Sequence, residues 1–300
     1  MLALWLGRRR GISPGAAWTM ILQGHDEIPW RTLLATIGLL VLFVCLATVF
    51  SAKYHIFGTD KVGQDVFYLA LKSIRTGLMI GTLTTLVMLP LGVALGVMAG
   101  YFKGWIDDLI QYVYTTLNSI PGVLLIAAAV LMMQVYVDTH PELFPTAAQR
   151  ADLRLLFLCV ILGLTSWTGL ARLLRGETLK LSELEDIQAA HAFGVAHARI
   201  LSRHILPNVS HIVIIALVMD FSGLVLAEAV LSYVGVGVDP ATTSFGTMIN
   251  TARLEMSRDP IVWWALAAAF VFMFVLVLAA NLFADAVRDG FDPRVRMGKA

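Results

Sequence analysis

Six stretches of the chain run almost without charge: Thr32 to Phe50, Leu78 to Tyr101, Leu109 to Val137, Leu153 to Leu174, Val209 to Leu231 and Ile261 to Phe283. An α-helix needs about 20 apolar residues, at a rise of about 1.5 Å each, to cross the hydrocarbon core of a bilayer. Each stretch comes close to that length or exceeds it, and none has the two-residue alternation of a barrel strand. The pattern predicts an all-α polytopic membrane protein with six transmembrane helices. It divides the chain into an N-terminal segment 1–31, a six-helix domain 32–284 and a tail 285–300.

Composition narrows the class. Of 300 residues, 58% are apolar and 14% charged, whereas about a quarter of a soluble domain is charged. The net charge of +1 leaves no basic excess to neutralise phosphates, which excludes nucleic acid as a partner. Where the charges sit says more than their sum. With the N-terminus in the cytoplasm, Lys53, Lys61, Lys72, Arg75, Arg150, Arg154, Arg253 and Arg258 fall outside, and the other 14 of the 22 basic residues fall inside. That bias predicts cytoplasmic N- and C-termini. Arg8, Arg9 and Arg10 precede the first apolar stretch, but the stretch is longer than a signal-peptide core, so it reads as a retained span. Cys45 and Cys159 lie inside apolar stretches, and no Cys/His cluster has metal-ligand spacing. Neither a metal nor a cofactor is expected.

Several spans carry features that constrain packing. Gly92, Gly96 and Gly100 clear one face of the second span so that another backbone can approach closely, and Pro90 should bend it. In the third, Asn118, Ser119, Ile120, Pro121 and Gly122 predict a break whose freed backbone groups must face protein or a cavity. Asp220 and Glu228 lie about 12 Å apart along the fifth span and share roughly one side of it. Ionisable groups at such depth find a partner or line a water-filled path. Two readings stay open: Glu228 pairs with Arg75 near the outer end of span two, or Asp220 lines a pathway and attracts a cationic group.

The longest polar stretch on the predicted cytoplasmic side, about 176–207, keeps helical periodicity. Ile187, Ala190, His191 and Gly194 recur at i, i+3, i+4 and i+7. Glu183, Glu185, Asp186 and Gln188 populate the preceding turns, and the acids suit a helix start. Ala189 and Ala190 offer a small-residue surface, and Gly194 ends or notches the helix. A second helical stretch, Ala198 to Leu206, is predicted to stop at Pro207. A flat face with acidic flanks suits a groove on another protein; an interfacial anchor would carry large aromatic residues. On the outer side, Ser232 to Pro260 mixes Gly235, Gly237, Pro240 and Gly246 with Phe245 and Met248, the composition of a partly re-entrant segment that gates the outer mouth or receives a binding protein.

These residues carry a specific resemblance. Gln188, Ala189, Ala190, then Gly194, then Leu206 and Pro207 resemble the alanine-alanine-glycine and leucine-proline signature of the coupling loop in bacterial ATP-binding-cassette importer permeases. Gln188 stands where that signature has Glu. His204, Ile205, Leu206, Pro207 and Asn208 are similar to the ending in the dipeptide, oligopeptide and nickel subgroup. Phe57 to Val66, with Gln64 in place of Arg, resembles the segment before span two in that subgroup. Leu231 to Gly237 and Ser244 to Gly246, with Phe245 in place of Trp, resemble its outer loop, and Asp285 to Arg294 resembles its C-terminal ending. The resemblance covers Phe57 to Arg294; the outer segment between Phe50 and Phe57 is shorter than is usual, and Asp138 to Asp152 looks like extra external material.

The resemblance implies one permease of a pair in the bacterial inner membrane. Its partners are a homologous second permease, two ATPase subunits, an extracytoplasmic substrate-binding protein and membrane lipids. Glu185, Asp186, Gln188, Ala189, Ala190, Gly194, His204, Leu206 and Pro207 are then expected to couple ATPase closure to movement of spans four and five. The residues support this division of labour on their own account. No G-x-x-x-x-G-K-S/T occurs to cradle ATP phosphates, and no nucleophile and base or metal cluster emerges, so the chain itself is expected to be non-catalytic. Peptides are the first choice of substrate, with nickel or another small solute second. The rival from another class is an ion-coupled carrier that uses Asp220 and Glu228 as a relay.

Overall fold

A backbone in lipid must satisfy every N–H and C=O internally, so long apolar runs become helices. The computed structural model describes residues 30–51, 53–257, 259 and 261–291; the N-terminal arginines and the tail from Asp292 lie outside the described residues. Six helices among the described residues are long and apolar enough to cross a membrane. The chain divides into two compact units between Ile56 and Phe57. The first contains α1 (Trp30–Ser51). The second contains α2 (Val66–Phe102), α3 (Gly104–Ser119), α4 (Gly122–Thr139), α5 (Ala147–Ser182), α6 (Glu185–Ala192), α7 (His197–Ile200), a π-helical turn (Leu201–Ile205), α8 (Leu206–Val234), α9 (Phe245–Glu255) and α10 (Trp264–Phe291).

The second unit is organised around α2 and α5. A Cβ placed on Gly96 would lie 2.6 Å from the Ala171 carbonyl oxygen, and one on Gly100 would lie 2.7 Å from that of Arg175. On α5, Gly163 answers in kind, 2.6 Å from Val87 Cβ and 3.0 Å from the Thr84 carbonyl. The glycine row is therefore the contact that lets two backbones touch, in the manner of membrane helix pairs.

Polar caps extend both helices beyond their apolar cores. Asp65 accepts the Tyr68 amide at 3.0 Å and starts α2, while Thr146 and Gln149 exchange bonds in a capping box that starts α5. Within the stretch Asp138 to Asp152, the first two residues close α4 and residues 147–152 open α5, joined by the link 140–146. The third apolar stretch divides in two. Pro121 supplies no N–H, and the preceding Ile120 is extended (φ −93°, ψ 132°). Only α4 beyond that break has the length and apolarity of a span; α3, with Asp107, Asp108, Gln111 and Asn118, keeps a polar face.

One predicted stop does not occur. The helix expected to end at Pro207 runs on into α8 through the π-helical turn, in which the Leu206 amide reaches back to the Leu201 carbonyl. Proline has no N–H and its ring crowds the carbonyl one turn back; the wider turn takes up both demands.

At the end of the unit opposite α6, the loop after α8 folds back. Glu228 is 1% exposed and accepts from Ser232 Oγ at 2.5 Å, whose oxygen also takes the Val238 amide at 3.2 Å. A Cβ on Gly246 would fall 2.4 Å from the Ala229 carbonyl, so only glycine lets α9 lie against α8. Thr76 on α2 donates to the Thr243 carbonyl at 2.7 Å, and Arg154 on α5 bridges Asp138 at 2.8 Å and Asp239 at 3.0 Å. The segment between α8 and α9 is thus tied to α2, α5 and α8 rather than left as a free loop. Ahead of α2, Trp264 Nε1 donates to the Thr59 carbonyl at 2.9 Å; Gly58, at φ +70°, leaves room for the indole.

Candidate functional site

The polar connection between α5 and α8 forms a short helix held on one face and free on the other. Ile187 is 1% exposed and packs with Val97, Leu174, Ile200, Ile205 and Val209, with half-buried Ala190 and Val195 beside them. Opposite, Glu185, Asp186, Gln188 and Ala189 are exposed. Gly194 stops the helix at φ +72°. Its amide donates to the His191 carbonyl at 3.0 Å, and the Val195 amide to that of Ala190 at 3.1 Å. This is the two-bond Schellman ending, which favours glycine because its left-handed position penalises a Cβ. The signature glycine thus fixes where the helix ends. His204 lies within the π-helical turn and Leu206 directly after it, Asn208 donates to the His204 carbonyl at 2.7 Å, and Pro207 sits in the first turn of α8.

The structure also ties this helix to α2, a connection that residue spacing did not reveal. The Tyr101 hydroxyl lies 3.0 Å from His191 Nε2 and 2.8 Å from His197 Nδ1. One hydroxyl can donate to only one of these nitrogens and must accept from the other, so the three groups clasp α6, α7 and the end of α2 together. Lys103 pairs with Glu183 beside them, a bond that holds the Glu183 carboxyl below the usual range. Sequence reasoning also missed Phe193, which is 86% exposed at the tip of the connection. Its signal was available: an aromatic directly before a helix-ending glycine has no helix face on which to bury.

A second polar contact braces the same end. Arg175 on α5 makes a two-pronged ion pair with Asp107 on α3, 2.6 Å at each prong, while Arg172 lies over the Tyr114 ring at 5.1 Å and Thr168 donates to Asn118 Oδ1 at 3.1 Å. The hydrogen bond from Arg175 holds the Asp107 carboxyl below the usual carboxylate range, against the opposing effect of burial. A depressed carboxyl contributes stability that is present at neutral pH and lost as pH falls through its folded-state value. Docking of α3 is therefore expected to hold down to pH about 4 and loosen below it. Asp107→Asn, which removes the charge that Arg175 bonds, should loosen it at every pH, costing about 2 kcal/mol. Hydrogen exchange across α3 at neutral and acid pH checks both.

The pathway candidates do not converge. Asp220 is half-buried on α8 and bonded to no described side chain. The ion pair expected between Arg75 and Glu228 does not form: Arg75 is exposed, and Glu228 is satisfied by the serine of its own next turn. A hydroxyl four residues along the helix is always within reach, whereas an arginine on another helix must be aimed.

This arrangement can be set beside known proteins. Residues 92–297 match the family model described as the binding-protein-dependent transport system inner membrane component. The chain belongs to that family. Among curated inner membrane components it is 31% identical to the oligopeptide transport system permease protein OppC of Mycobacterium tuberculosis, over 81% of this chain and 77% of that one. It is 33% identical to the glutathione transport system permease protein GsiD of Pectobacterium atrosepticum, over 81% and 73%. An inward-facing form of the MetNI methionine ABC transporter shares its fold, with TM-score 0.50 and 16% identity over 73% of this chain and 96% of that one. As an inner membrane component the chain is a multi-pass membrane protein, and its signature residues Ala189, Ala190 and Gly194 lie on and just after α6.

Proposed function

We propose that this chain is one permease subunit of an ATP-driven importer of di- and oligopeptides in a bacterial cytoplasmic membrane. One of two ATPase subunits docks on α6 from the cytoplasm, where both termini also lie. A homologous permease completes the pathway, and an extracytoplasmic binding protein delivers peptide to the end formed by α9 and the 236–244 loop. The observation that carries the reading is the two-sided character of α6: Ile187 anchors it to the α2, α5 and α8 core, while acidic and small residues and Phe193 are presented outward. A rigid short helix of this kind transmits a push from an ATPase without itself carrying out chemistry. The peptide substrate is supported by the likeness to OppC and GsiD.

The test is reconstitution of the four-subunit complex in proteoliposomes with its binding protein. Labelled dipeptide should accumulate only with ATP inside the compartment that holds the ATPases. Accumulation driven by a proton or sodium gradient without ATPases would overturn the reading. Uptake of nickel in place of peptide would keep the importer and correct its substrate.

A further inference from the structure

One face of α2 changes character along its length. Tyr68, Lys72, Arg75, Met79, Thr82 and Leu86 recur at i, i+4, i+7, i+11, i+14 and i+18, so they form one row along the helix. All six are exposed. The ion pairs among the described residues use neither Lys72 nor Arg75. After Arg75 no charge follows until Lys103. That run is about 42 Å of helix, and a bilayer with its headgroups is about 40–45 Å thick. Arg75 therefore stands at the phosphate level of the leaflet nearer the start of α2. Lys72 and Tyr68 follow outward in the same row, and tyrosine is a residue that bilayer interfaces favour.

Further along the row the face opens into a groove of about 330 Å³ between α2 and α8, walled by Leu86, Leu89, Pro90, Leu217, Phe221 and two threonines. A Cβ on Gly81 would fall 2.3 Å from the Phe221 ring, so glycine lets that ring lie against α2 as one wall. The threonines, Thr82 and Thr85, turn their hydroxyls back onto the Leu78 and Gly81 carbonyls of their own helix, each at 2.7 Å. The lining that remains is hydrocarbon. A polar solute would lose hydration there without recompense, whereas an acyl chain gains the dispersion contacts that a gap forgoes. Along the axis the groove spans from about 10 Å to about 22 Å below Arg75. Half the bilayer with its headgroups is about 20–22 Å, so this is the depth at which the acyl chain of one leaflet ends.

The two cations decide what covers the face. A helix of another subunit would have to bring a carboxylate to this level to answer them, whereas a phospholipid carries a phosphate and a chain at the required separation. A zwitterionic headgroup would add a cation of its own beside Lys72 and Arg75. We propose that this face binds one anionic phospholipid, its phosphate between Lys72 and Arg75 and its acyl chain running past Met79 into the groove between α2 and α8.

The test is native mass spectrometry of the full chain, released from detergent micelles that contain phosphatidylglycerol or phosphatidylcholine of identical acyl chains. One phosphatidylglycerol should be retained at least about tenfold more strongly than phosphatidylcholine. Lys72→Gln combined with Arg75→Gln, both at exposed positions, should bring phosphatidylglycerol down to the phosphatidylcholine level. Should the double variant fail to fold, either single variant carries the test with a smaller loss. Leu86→Trp, which fills the groove and leaves the cations in place, should lower retention of both lipids. Glycerol 3-phosphate, the headgroup chemistry without chains, should fail to displace the lipid. Equal retention of the two lipids by the unaltered chain would overturn the proposal and leave Lys72 and Arg75 as ordinary snorkelling residues. Undiminished retention by the folded variants, or displacement by glycerol 3-phosphate, would overturn it as well. So would loss of the lipid on addition of the homologous permease, which would assign the groove to that subunit.

Discussion

Gly96→Leu is expected to abolish the folded state of the second unit, and Gly96→Ala to cost the isolated chain about 2–3 kcal/mol. The reason is that the neighbours are backbone. An added methyl would meet the Ala171 carbonyl oxygen at 2.6 Å and Ala171 Cα at 2.8 Å, and neither can rotate away as a side chain could. The two helices must separate, which also opens the contacts of Gly92 with Leu170 and of Gly100 with Thr178. Helix propensity acts the other way, since alanine is favoured over glycine by about 1 kcal/mol in a helix interior. Gly169 on α5 isolates that contribution, because nothing lies within 4 Å of a Cβ placed there; Gly169→Ala should leave stability unchanged or raise it. Thermal unfolding of the two alanine variants in detergent must therefore diverge, with a clear loss at Gly96 and none at Gly169. Equal, small effects would mean that α2 and α5 are not in backbone contact.

The spans were legible because lipid imposes one demand on all of them, length and apolarity, and a row of glycines has few uses other than close approach. What could not be read was anything decided by a partner helix. Asp107 and Arg175 are ordinary charges in the sequence; only the α3–α5 crossing aims them at each other. Glu228 and Arg75 lay near the same end of adjacent spans, yet Ser232 on the same helix reaches the carboxylate first. Pro207 was a sound stop signal by local rules, and the π-helical turn overrode it because the chain had to continue into a span. Local signals locate elements, and tertiary contact decides which polar groups meet.

The candidate site divides in the same way. Gly194 and the two alanines were recognisable as a short helix with a hard stop, and the structure adds the physical reason in the paired bonds to the His191 and Ala190 carbonyls. The clasp of Tyr101 on His191 and His197 was invisible, since it joins residues 90 and 96 positions apart. It changes the expected mechanics. Movement of α6 was expected to act on the fourth and fifth spans, whereas the clasp also fastens it to α2, and the Lys103–Glu183 pair joins the ends of α2 and α5 beside it. A push on α6 therefore reaches the glycine-lined α2–α5 pair from both of its helices.

Phe193→Ala should lower the affinity of the ATPases for this chain about 100-fold, or about 2.7 kcal/mol, and abolish ATP-driven uptake while leaving the isolated chain as stable as before. Many large apolar residues of this protein are exposed, but most lie on the helices long and apolar enough to span a membrane. Phe193 does not: it sits beyond α6, 86% exposed and close in sequence to Glu185 and Asp186. An aromatic anchor entering a pocket amid polar neighbours is the pattern of an interface hot spot, where truncation costs 2 kcal/mol or more by common estimate, about the loss predicted here. Ile187→Ala supplies the contrast from the other face of the same helix. Ile187 belongs to the core, so its truncation should cost the chain itself about 2–4 kcal/mol and loosen α6 before any ATPase is present. Measuring thermal stability and ATPase binding for both variants separates the faces. If Phe193→Ala binds the ATPases normally, the outward face of α6 does not carry the docking, and the proposed route of energy into this permease is wrong.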